Sequence, residues 1–246
     1  MHRFYVSQKI VGLSIIISDA GCVHHIKNVL RLQIGDKVTI FDGDGDEHIC
    51  IITGLEKNQV LMDKISTKKS RPELCKITIA CALPKKSKMD EIIDKLTQLG
   101  VYAIVPLITE RVILKINENT DSRLERWRKI ALSAAEQSQR NRLPQILPVT
   151  SFKDILAQSN QYDLKLLPTL EGERTSIRDV IPIPIPVSIS ILVIIGPEGD
   201  FSPQEVRQSI DSGFIPISLG ENVLKVDTAA IAVASYLKFV AFQNCS

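Results

Sequence analysis

A glycine-rich loop at the end of an apolar run holds the residues of this sequence best placed to do chemistry. Ile189–Ile195 is almost wholly apolar, and Gly196-Pro197-Glu198-Gly199-Asp200 follows it directly. The run lacks polar alternation, which predicts a strand buried on both faces of a parallel sheet. Ligands of α/β folds lie outside the carboxyl ends of such strands, so the loop is a candidate binding site. A tight turn between a strand and a helix is the structural alternative.

The charges of this loop argue against a phosphate ligand. Glycine-rich loops usually bind phosphate through backbone N–H groups and a helix N-terminus. Here Glu198 and Asp200 place two negative charges beside that position. The following helix also caps itself, because Ser202 and Glu205 have the spacing of a capping box. The loop therefore suits a neutral or cationic ligand better than an anionic one.

A second loop could bind an aromatic ring. A predicted strand ends at Gly220, and an apolar loop with Val223 and Leu224 leads into a helix that Asp227 or Thr228 could cap. Backbone N–H and C=O groups in an apolar loop can hold an adenine ring. Alternatively, Val223 and Leu224 are core residues.

Basic residues follow two predicted helices. Glu136-Gln137-Ser138-x-Arg140-x-Arg142 ends one of them, where arginines either favour the helix dipole or belong to a site. In the other, predicted over residues 24–32, His25 with Lys27 and Arg31 could form a patch that faces RNA.

The elements that position these residues divide the chain in two. Residues 1–70 read as short strands and turns, which suggests a small barrel, and the polar segment 66–72 is the predicted boundary. From residue 73 to 246, strands and helices alternate, which predicts an α/β domain with a largely parallel sheet and helices on both faces. The predicted strands are 3–6, 13–17, 37–42, 47–53, 60–65, 77–83, 101–107, 163–167, 189–195 and 214–219. The predicted helices after the boundary are 86–99, 122–138 with a Ser122/Glu125 capping box, 203–212 and an alanine-rich last helix.

Composition limits the class of protein. Of 246 residues, 44% are hydrophobic and 24% charged, and the net charge of +2 does not demand a nucleic-acid partner. Residues 64–88 hold eight basic residues and one acid, which predicts either polyanion contact or a solvated linker. Five cysteines without a C-x-x-C pair argue against disulfides and zinc and for a reducing compartment.

Targeting and metal signals are weak. The first residues have no apolar signal core and no run reaches membrane-spanning length, so we expect a cytoplasmic protein without a membrane partner. Asp42-x-Asp44-x-Asp46 resembles a calcium loop, but Glu47 and Thr53 stand where that loop needs Gly and Glu. We expect no metal.

Taken together, the motifs resemble a known family. They are His24-His25-x3-Val29-Leu30-Arg31-Leu32, Leu99-Gly100-Val101, Glu136-Gln137-Ser138-x-Arg140, Gly196-Pro197-Glu198-Gly199 and Leu219-Gly220-x4-Lys225-x-Asp227-Thr228-Ala229. In this order they resemble the bacterial ribosomal RNA small subunit methyltransferase E family of the SPOUT superfamily. Each motif alone is weak, whereas the ordered set is specific and spans nearly the whole chain.

The resemblance implies a fold and an activity. It implies an N-terminal PUA-like β-barrel for RNA, a C-terminal SPOUT α/β domain with a trefoil knot, and a homodimer. The implied reaction transfers a methyl group from S-adenosylmethionine (SAM) to N3 of a uridine in 16S rRNA, within the assembled small ribosomal subunit. SAM is a sulfonium without phosphate, in agreement with the charges of the first loop.

The resemblance also assigns residues. Implied cofactor contacts are Leu167, Pro168, Thr169, Gly196, Pro197, Glu198, Gly199, Leu219, Gly220, Val223, Leu224 and Lys225. Implied RNA contacts are Arg3, His25, Lys27, Arg31, Arg140 and Arg142. Because the N3 proton must leave, Arg140 and Lys225 are candidate cations for the deprotonated ring, and Asp227 is a candidate base.

Some positions depart from the family pattern. Asp200 stands where Gly is common, Asn222 and Lys225 where Arg is usual, and Asp227 and Gln98 where Glu is usual. Lysine lacks the planar fork of arginine, so bidentate contacts would be lost. Two alternatives therefore stay open: an RNA-binding ribosome-assembly factor without catalysis, and a knotted methyltransferase that acts on transfer RNA.

Overall fold

The computed structural model describes residues 1–70, 73, 75–84, 88–112, 120–186 and 188–242. Its contacts divide the chain into one unit of Met1–Pro72 with Ala135–Leu143 and a second unit of Glu73–Ala134 with Pro144–Ser246. Several residues considered above lie outside the described part: Arg71, Pro72, Lys85, Lys86 and Cys245.

The first unit contains a mixed five-stranded sheet with the strand order β1-β3-β4-β5-β2. The strands are β1 (Arg3–Tyr5), β2 (Ser14–Ile17), β3 (Lys37–Phe41), β4 (Glu47–Leu55) and β5 (Val60–Lys68). Strands β1 and β3 are parallel, and the other neighbours are antiparallel. Side chains of β4 alternate, so that His48, Cys50 and Ile52 are buried. This period of two is what a sheet with one core-facing side requires.

A short helix covers the core of this unit. Helix α1 (Ala20–His24) continues into a wider π-type turn (His25–Val29), and Val23 and Ile26 are buried. The predicted helix start at residue 24 was wrong, because the Asp19 carboxylate accepts a hydrogen bond from the Cys22 N–H at 2.8 Å and caps the helix earlier.

The second unit contains an eight-stranded sheet whose main path is β11-β13-β10-β12-β6-β7-β8, with β9 beside β7. Its strands are β6 (Cys75–Ala82), β7 (Ala103–Ile108), β8 (Gln145–Ile146), β9 (Thr150–Ser151), β10 (Leu164–Pro168), β11 (Thr175–Ser176), β12 (Ile189–Ile195) and β13 (Ile215–Ser218). All pairs in this sheet are parallel. The predicted parallel strand at Ile189–Ile195 is confirmed.

Helices cover both faces of this sheet. They are α2 (Lys88–Gln98), α3 (Thr120–Gln137), α4 (Phe152–Ala157), α5 (Ile177–Val180), α6 (Pro203–Asp211) and α7 (Val226–Phe242). Along β12, Ile191 and Val193 join a core cluster with α2, α3 and α7, whereas Leu192 and Ile194 join one with α4 and α6. Adjacent strand residues face opposite sides, so an apolar run was needed to bury both faces.

Three further boundaries differ from the predicted ones. Helix α7 begins at Val226, with the Ala229 N–H donating to the Lys225 carbonyl at 2.8 Å, so neither Asp227 nor Thr228 is its N-cap. Helix α3 already includes Thr120, which places Ser122 inside its first turn. Strand β5 continues to Lys68 because residues 66–68 pair with β4. No helix in the described part of the chain is long and apolar enough to cross a membrane.

Candidate functional site

A pocket lies at the carboxyl ends of β10, β12 and β13, within the second unit. Three loops that the sequence singled out form its wall. Pro168 and Thr169 come from the loop after β10, Gly196, Pro197 and Glu198 from the loop after β12, and Leu219, Gly220, Val223 and Leu224 from the loop after β13. Parallel strands bring these separate loops to one edge of the sheet.

Three of the residues assigned to the cofactor lie elsewhere. Leu167 is fully buried in β10 and packs in the core. Gly199 is exposed in the turn, and its carbonyl accepts a hydrogen bond from the Arg111 guanidinium. Lys225 is exposed just before α7, and in the described residues its ammonium group has no ion pair.

The loop after β12 approaches the core closely because it begins with a glycine. A Cβ on Gly196 would lie 2.9 Å from Cε2 of Phe201, which is closer than side-chain carbons approach in proteins. The Phe201 ring is fully buried and packs against Phe152 with ring centroids 5.8 Å apart. Gly196 therefore lets the turn lie directly over this ring.

Asp200 joins two of the loops. Its N–H donates to the Pro197 carbonyl at 3.0 Å, and its φ of 57° is in the left-handed region. Its Oδ2 accepts hydrogen bonds from the Thr169 hydroxyl at 3.1 Å and from the Leu170 N–H at 2.8 Å. Sequence reasoning missed this contact, since a backbone angle and a distant donor leave no pattern in the sequence.

The helix after the loop uses its own N-terminal donors. The predicted capping box is confirmed: the Ser202 N–H donates to Glu205 Oε2 at 2.9 Å, and the Glu205 N–H donates to Ser202 Oγ at 3.3 Å. The other oxygen of Glu205 accepts from the Glu110 N–H at 2.9 Å. A carboxylate thus occupies the position that a phosphate would take.

The charges of the pocket are mixed. Glu198 and Asp200 supply two carboxylates, and Arg174, which sequence reasoning missed, supplies a guanidinium that donates to the Thr169 carbonyl at 3.2 Å.

At the end of β6, burial raises the pKa of the Cys81 thiol to about 12, and the charges of Asp227 and Glu198 raise it as well. Cys81 is therefore a neutral thiol and not a nucleophile.

Asp227 lies in the first turn of α7, beside a lysine that sequence reasoning also missed. Nζ of Lys88 is 3.7 Å from Asp227 Oδ2, and Oδ1 is buried without a hydrogen-bond partner in the described residues. The position of Lys88 shortly after a strand end was the available signal. No group of three or more His, Cys, Asp or Glu side chains in the described part could hold a metal ion.

The candidate RNA residues all lie in the first unit, where Arg3 is mostly internal. Its side chain is 13% exposed, and Nη1 pairs with Glu47 Oε1 at 3.0 Å. Its guanidinium also stacks over the Phe41 ring, 5.4 Å from the centroid, and donates to Asn141. Arg3 therefore links β1 to Glu47 of β4, and its largely buried guanidinium is poorly placed to contact a phosphate.

Arg140 and Arg142 lie beyond the end of α3 and not in its last turn. Gln139 has a φ of 59°, and the Arg140 N–H donates back to the Ala135 carbonyl at 2.9 Å, which ends the helix. Nη2 of Arg142 then donates to Ser70 Oγ at 3.2 Å. Both arginines line a surface groove with Lys68 and Lys69. The helix dipole alone does not account for them.

The patch near α1 is only partly available. His25 is exposed, with its ring edge-on to Phe4, but Lys27 Nζ donates to the Glu56 carbonyl at 2.7 Å. Arg31 is exposed and has a φ of 53° at the end of the helical segment. A non-glycine residue in this conformation is uncommon and points its side chain outward here.

A half-buried carboxylate lies beneath this surface. Burial raises the pKa of Glu136, while the Tyr5 N–H, which donates to it, and the nearby His25 and Arg3 act to lower the pKa. Of the two adjacent polar residues, Glu136 thus faces inward and Gln137 is exposed.

Comparisons with known proteins agree for both units. Residues 71–238 match the family described as RNA methyltransferase domain, and residues 22–63 match the RNA methyltransferase PUA domain. The ribosomal RNA small subunit methyltransferase E of Bacillus subtilis is 32% identical over 222 residues, which are 88% of this chain and 87% of the relative.

Solved structures give the same result. A ribosomal RNA small subunit methyltransferase E from Neisseria gonorrhoeae, bound to SAM, superposes with a TM-score of 0.85 at 30% identity over 98% of both chains. A methyltransferase from Legionella pneumophila, also with bound SAM, gives 0.84 at 32% identity over 96% of both chains. Sequence order, sheet topology and these similarities lead to one conclusion: the chain belongs to the ribosomal RNA small subunit methyltransferase E family.

Proposed function

We propose that the protein transfers the methyl group of SAM to N3 of a uridine in 16S rRNA of the small ribosomal subunit. The observation that carries this proposal is the pocket that three strand-end loops form in the second unit. Its two carboxylates attract a cationic ligand, and the helix beside it uses its own N-terminal donors, so the pocket suits a cationic ligand that carries no phosphate. The two relatives solved with SAM support the same cofactor.

The residues present fit SAM. The apolar loop with Leu219, Val223 and Leu224 suits the adenine ring, which its backbone groups would hold. Glu198 favours the sulfonium charge, and Arg174 is the cation in the wall that could pair with the methionyl carboxylate.

Bound SAM supplies a methyl group on a sulfonium: the S–CH3 bond breaks, the N3–CH3 bond forms, and the N3 proton leaves. This chain must hold the uridine in line and stabilise the deprotonated ring. Lys225 and Arg140 are the proposed cations, and Asp227, held by Lys88, is the proposed base. The exposed ammonium of Lys225 can meet a substrate without first breaking an ion pair in the described residues.

The first unit is the proposed RNA-binding part. The PUA match and the basic groove with Lys68, Arg140 and Arg142 support contact with rRNA phosphates. His25, Lys27 and Arg31 are the proposed second patch. Arg3 would act mainly by holding Asn141, which lines the groove.

The proposal extends to the domains, the assembly and the location of the protein. We propose that residues 1–70 form the PUA-like barrel and residues 73–246 the SPOUT domain with its trefoil knot. We also propose that two copies assemble as a homodimer in the cytoplasm.

Labelled SAM and small subunits that lack the modification test the proposal. We expect label at N3 of one uridine, detected by nuclease digestion and mass spectrometry. Absence of label there would overturn the methyltransferase. SAM binding without turnover would support the assembly factor, and label in transfer RNA would support the other alternative.

Two variants separate the catalytic role of Lys225 from general charge. Lys225→Ala should lower turnover while SAM binding, measured by calorimetry, stays unchanged. Lys153→Ala removes an exposed lysine from α4 and should leave turnover unchanged. Equal turnover of all three proteins would remove Lys225 from the mechanism.

A further inference from the structure

Asp200 has an unusual backbone conformation that no helix end explains. Among the described residues, the non-glycine residues with positive φ are Arg31, Gln139, Ser188 and Asp200. Arg31 and Gln139 follow helical segments, where a left-handed residue is common. Asp200 follows a strand and precedes α6. Such a conformation persists where the surroundings impose it, and these residues concentrate at binding sites.

The contacts of Asp200 run between two loops of the pocket. One oxygen, Oδ2, accepts from both the Thr169 hydroxyl at 3.1 Å and the Leu170 N–H at 2.8 Å. The Thr169 hydroxyl also accepts from the Glu171 N–H at 3.2 Å, and Thr169 is 5% exposed. Hydrogen bonds to a carboxylate are about twice as strong as neutral ones. The segment after β10 is thus tied to the turn after β12 through one side chain.

The same side chain forms part of the pocket wall. Asp200, Thr169 and Leu170 all line it. Oδ1 of Asp200 would lie 3.3 Å from a Cβ on Gly196, and it accepts no hydrogen bond from the described residues. Leu170 is 49% exposed, so side-chain packing alone holds it weakly. Without the carboxylate, the Thr169 backbone would keep its hydrogen bonds to the Ile217 carbonyl at 3.4 Å and to Arg174 at 3.2 Å, whereas the Leu170 N–H would lose its acceptor.

We propose that Asp200 is a positioning residue of the cofactor pocket, whose carboxylate latches residues 169–171 onto the turn at 196–200. The latch builds the wall before SAM binds, so binding does not have to order that segment. This inference rests on the proposed function, because it assigns Asp200 a role in the same pocket.

Variants at three positions test the latch. Asp200→Gly removes the carboxylate and relaxes the left-handed backbone. Ser188→Gly relaxes the same kind of backbone, with a φ of 67°, at an exposed position outside the pocket. Thr169→Val removes one donor, and Asp200→Asn keeps an acceptor for the Leu170 N–H. We would measure SAM affinity by calorimetry, Tm, and hydrogen exchange of the Leu170 amide.

Asp200→Gly should weaken SAM binding on the order of tenfold, because the competent pocket becomes a minor state. Its Tm should not rise, since relief of the left-handed backbone offsets only part of the lost hydrogen bonds. The Leu170 amide should exchange faster. Asp200→Asn should restore part of the affinity, Thr169→Val should lose part of it, and Ser188→Gly should bind as the wild type does. Should Asp200→Gly fail to fold, the Asn and Val variants decide the question.

Equal SAM affinity in Asp200→Gly and wild type would overturn the latch and leave the proposed function intact. A wild-type protein that binds no SAM would overturn both. Faster exchange at Leu170 with unchanged affinity would show a purely structural contact and also overturn the role in binding.

Discussion

The close approach of Gly196 to Phe201 allows one substitution to be worked out from geometry. In Gly196→Ala the new Cβ would lie 2.9 Å from Cε2 and 3.1 Å from Cδ2 of Phe201, whereas carbon atoms in contact prefer about 3.5–4.0 Å. The ring is fully buried against Phe152, so it has little room to move. Overpacking of this kind costs about 1–3 kcal/mol. For a protein of this size, that lowers Tm by about 2–12 °C.

A matched control lies three residues away. In Gly199→Ala the nearest atom to the new Cβ is Cδ of Arg111 at 3.6 Å, which is ordinary contact. This surface change should alter the free energy of unfolding by no more than about 0.5 kcal/mol. Thermal unfolding of both variants, with SAM binding by calorimetry, measures the difference. Only Gly196→Ala should lose stability and SAM affinity.

A double-mutant cycle identifies the ring as the cause. Phe201→Leu removes the atoms that the new Cβ would meet, so Gly196→Ala should cost less in that background, with a coupling of about 1 kcal/mol. Equal Tm values for Gly196→Ala and Gly199→Ala, or a coupling near zero, would refute the reasoning.

Three further predictions concern stability and RNA binding. Glu205→Gln should lower the free energy of unfolding by about 1–3 kcal/mol, because its amide NH2 would face a backbone N–H, either that of Glu110 or that of Ser202. Urea unfolding measures this loss, and an unchanged midpoint would contradict it. Arg31→Gly should raise the free energy of unfolding by up to about 1 kcal/mol by relieving the left-handed backbone, and it should weaken binding of an rRNA fragment. Arg31→Lys, the control, should change neither property. A lower free energy of unfolding for Arg31→Gly would contradict the backbone argument. Burial raises the pKa of Glu136, so wild-type stability is full below its unfolded pKa and falls as pH rises through the folded pKa. The free energy of unfolding of Glu136→Gln, measured with urea, should therefore rise relative to that of the wild type as the pH goes from acid to neutral. A difference between the two proteins that does not change with pH would refute this.

The apolar run at Ile189–Ile195 shows how far local pattern reaches. Its lack of alternation predicted a strand buried on both faces, and β12 is such a strand. The capping box of Ser202 and Glu205 was equally readable, since it depends on residues three apart. Patterns of this kind are local, and a single sequence contains them in full.

Helix starts were less predictable. Ser122 and Asp227 have the side chains of N-caps, but α3 and α7 include residues before them. In α1 the cap is Asp19, outside the segment that the sequence indicated. Several residues near a helix end can act as caps, and the packing of the helix decides among them.

The sequence by itself determined the alternation of strands and helices, the three loops and the two carboxylates of the loop after β12. Only the tertiary structure decided which loop residues face the pocket and which, like Leu167, enter the core. It also decided that Arg174 lines the pocket, that Lys88 pairs with Asp227 and that Asp200 bonds to Thr169. The physical reason is that local periodicity fixes an element, whereas parallel sheet pairing brings together residues distant in sequence, and no local pattern records that contact.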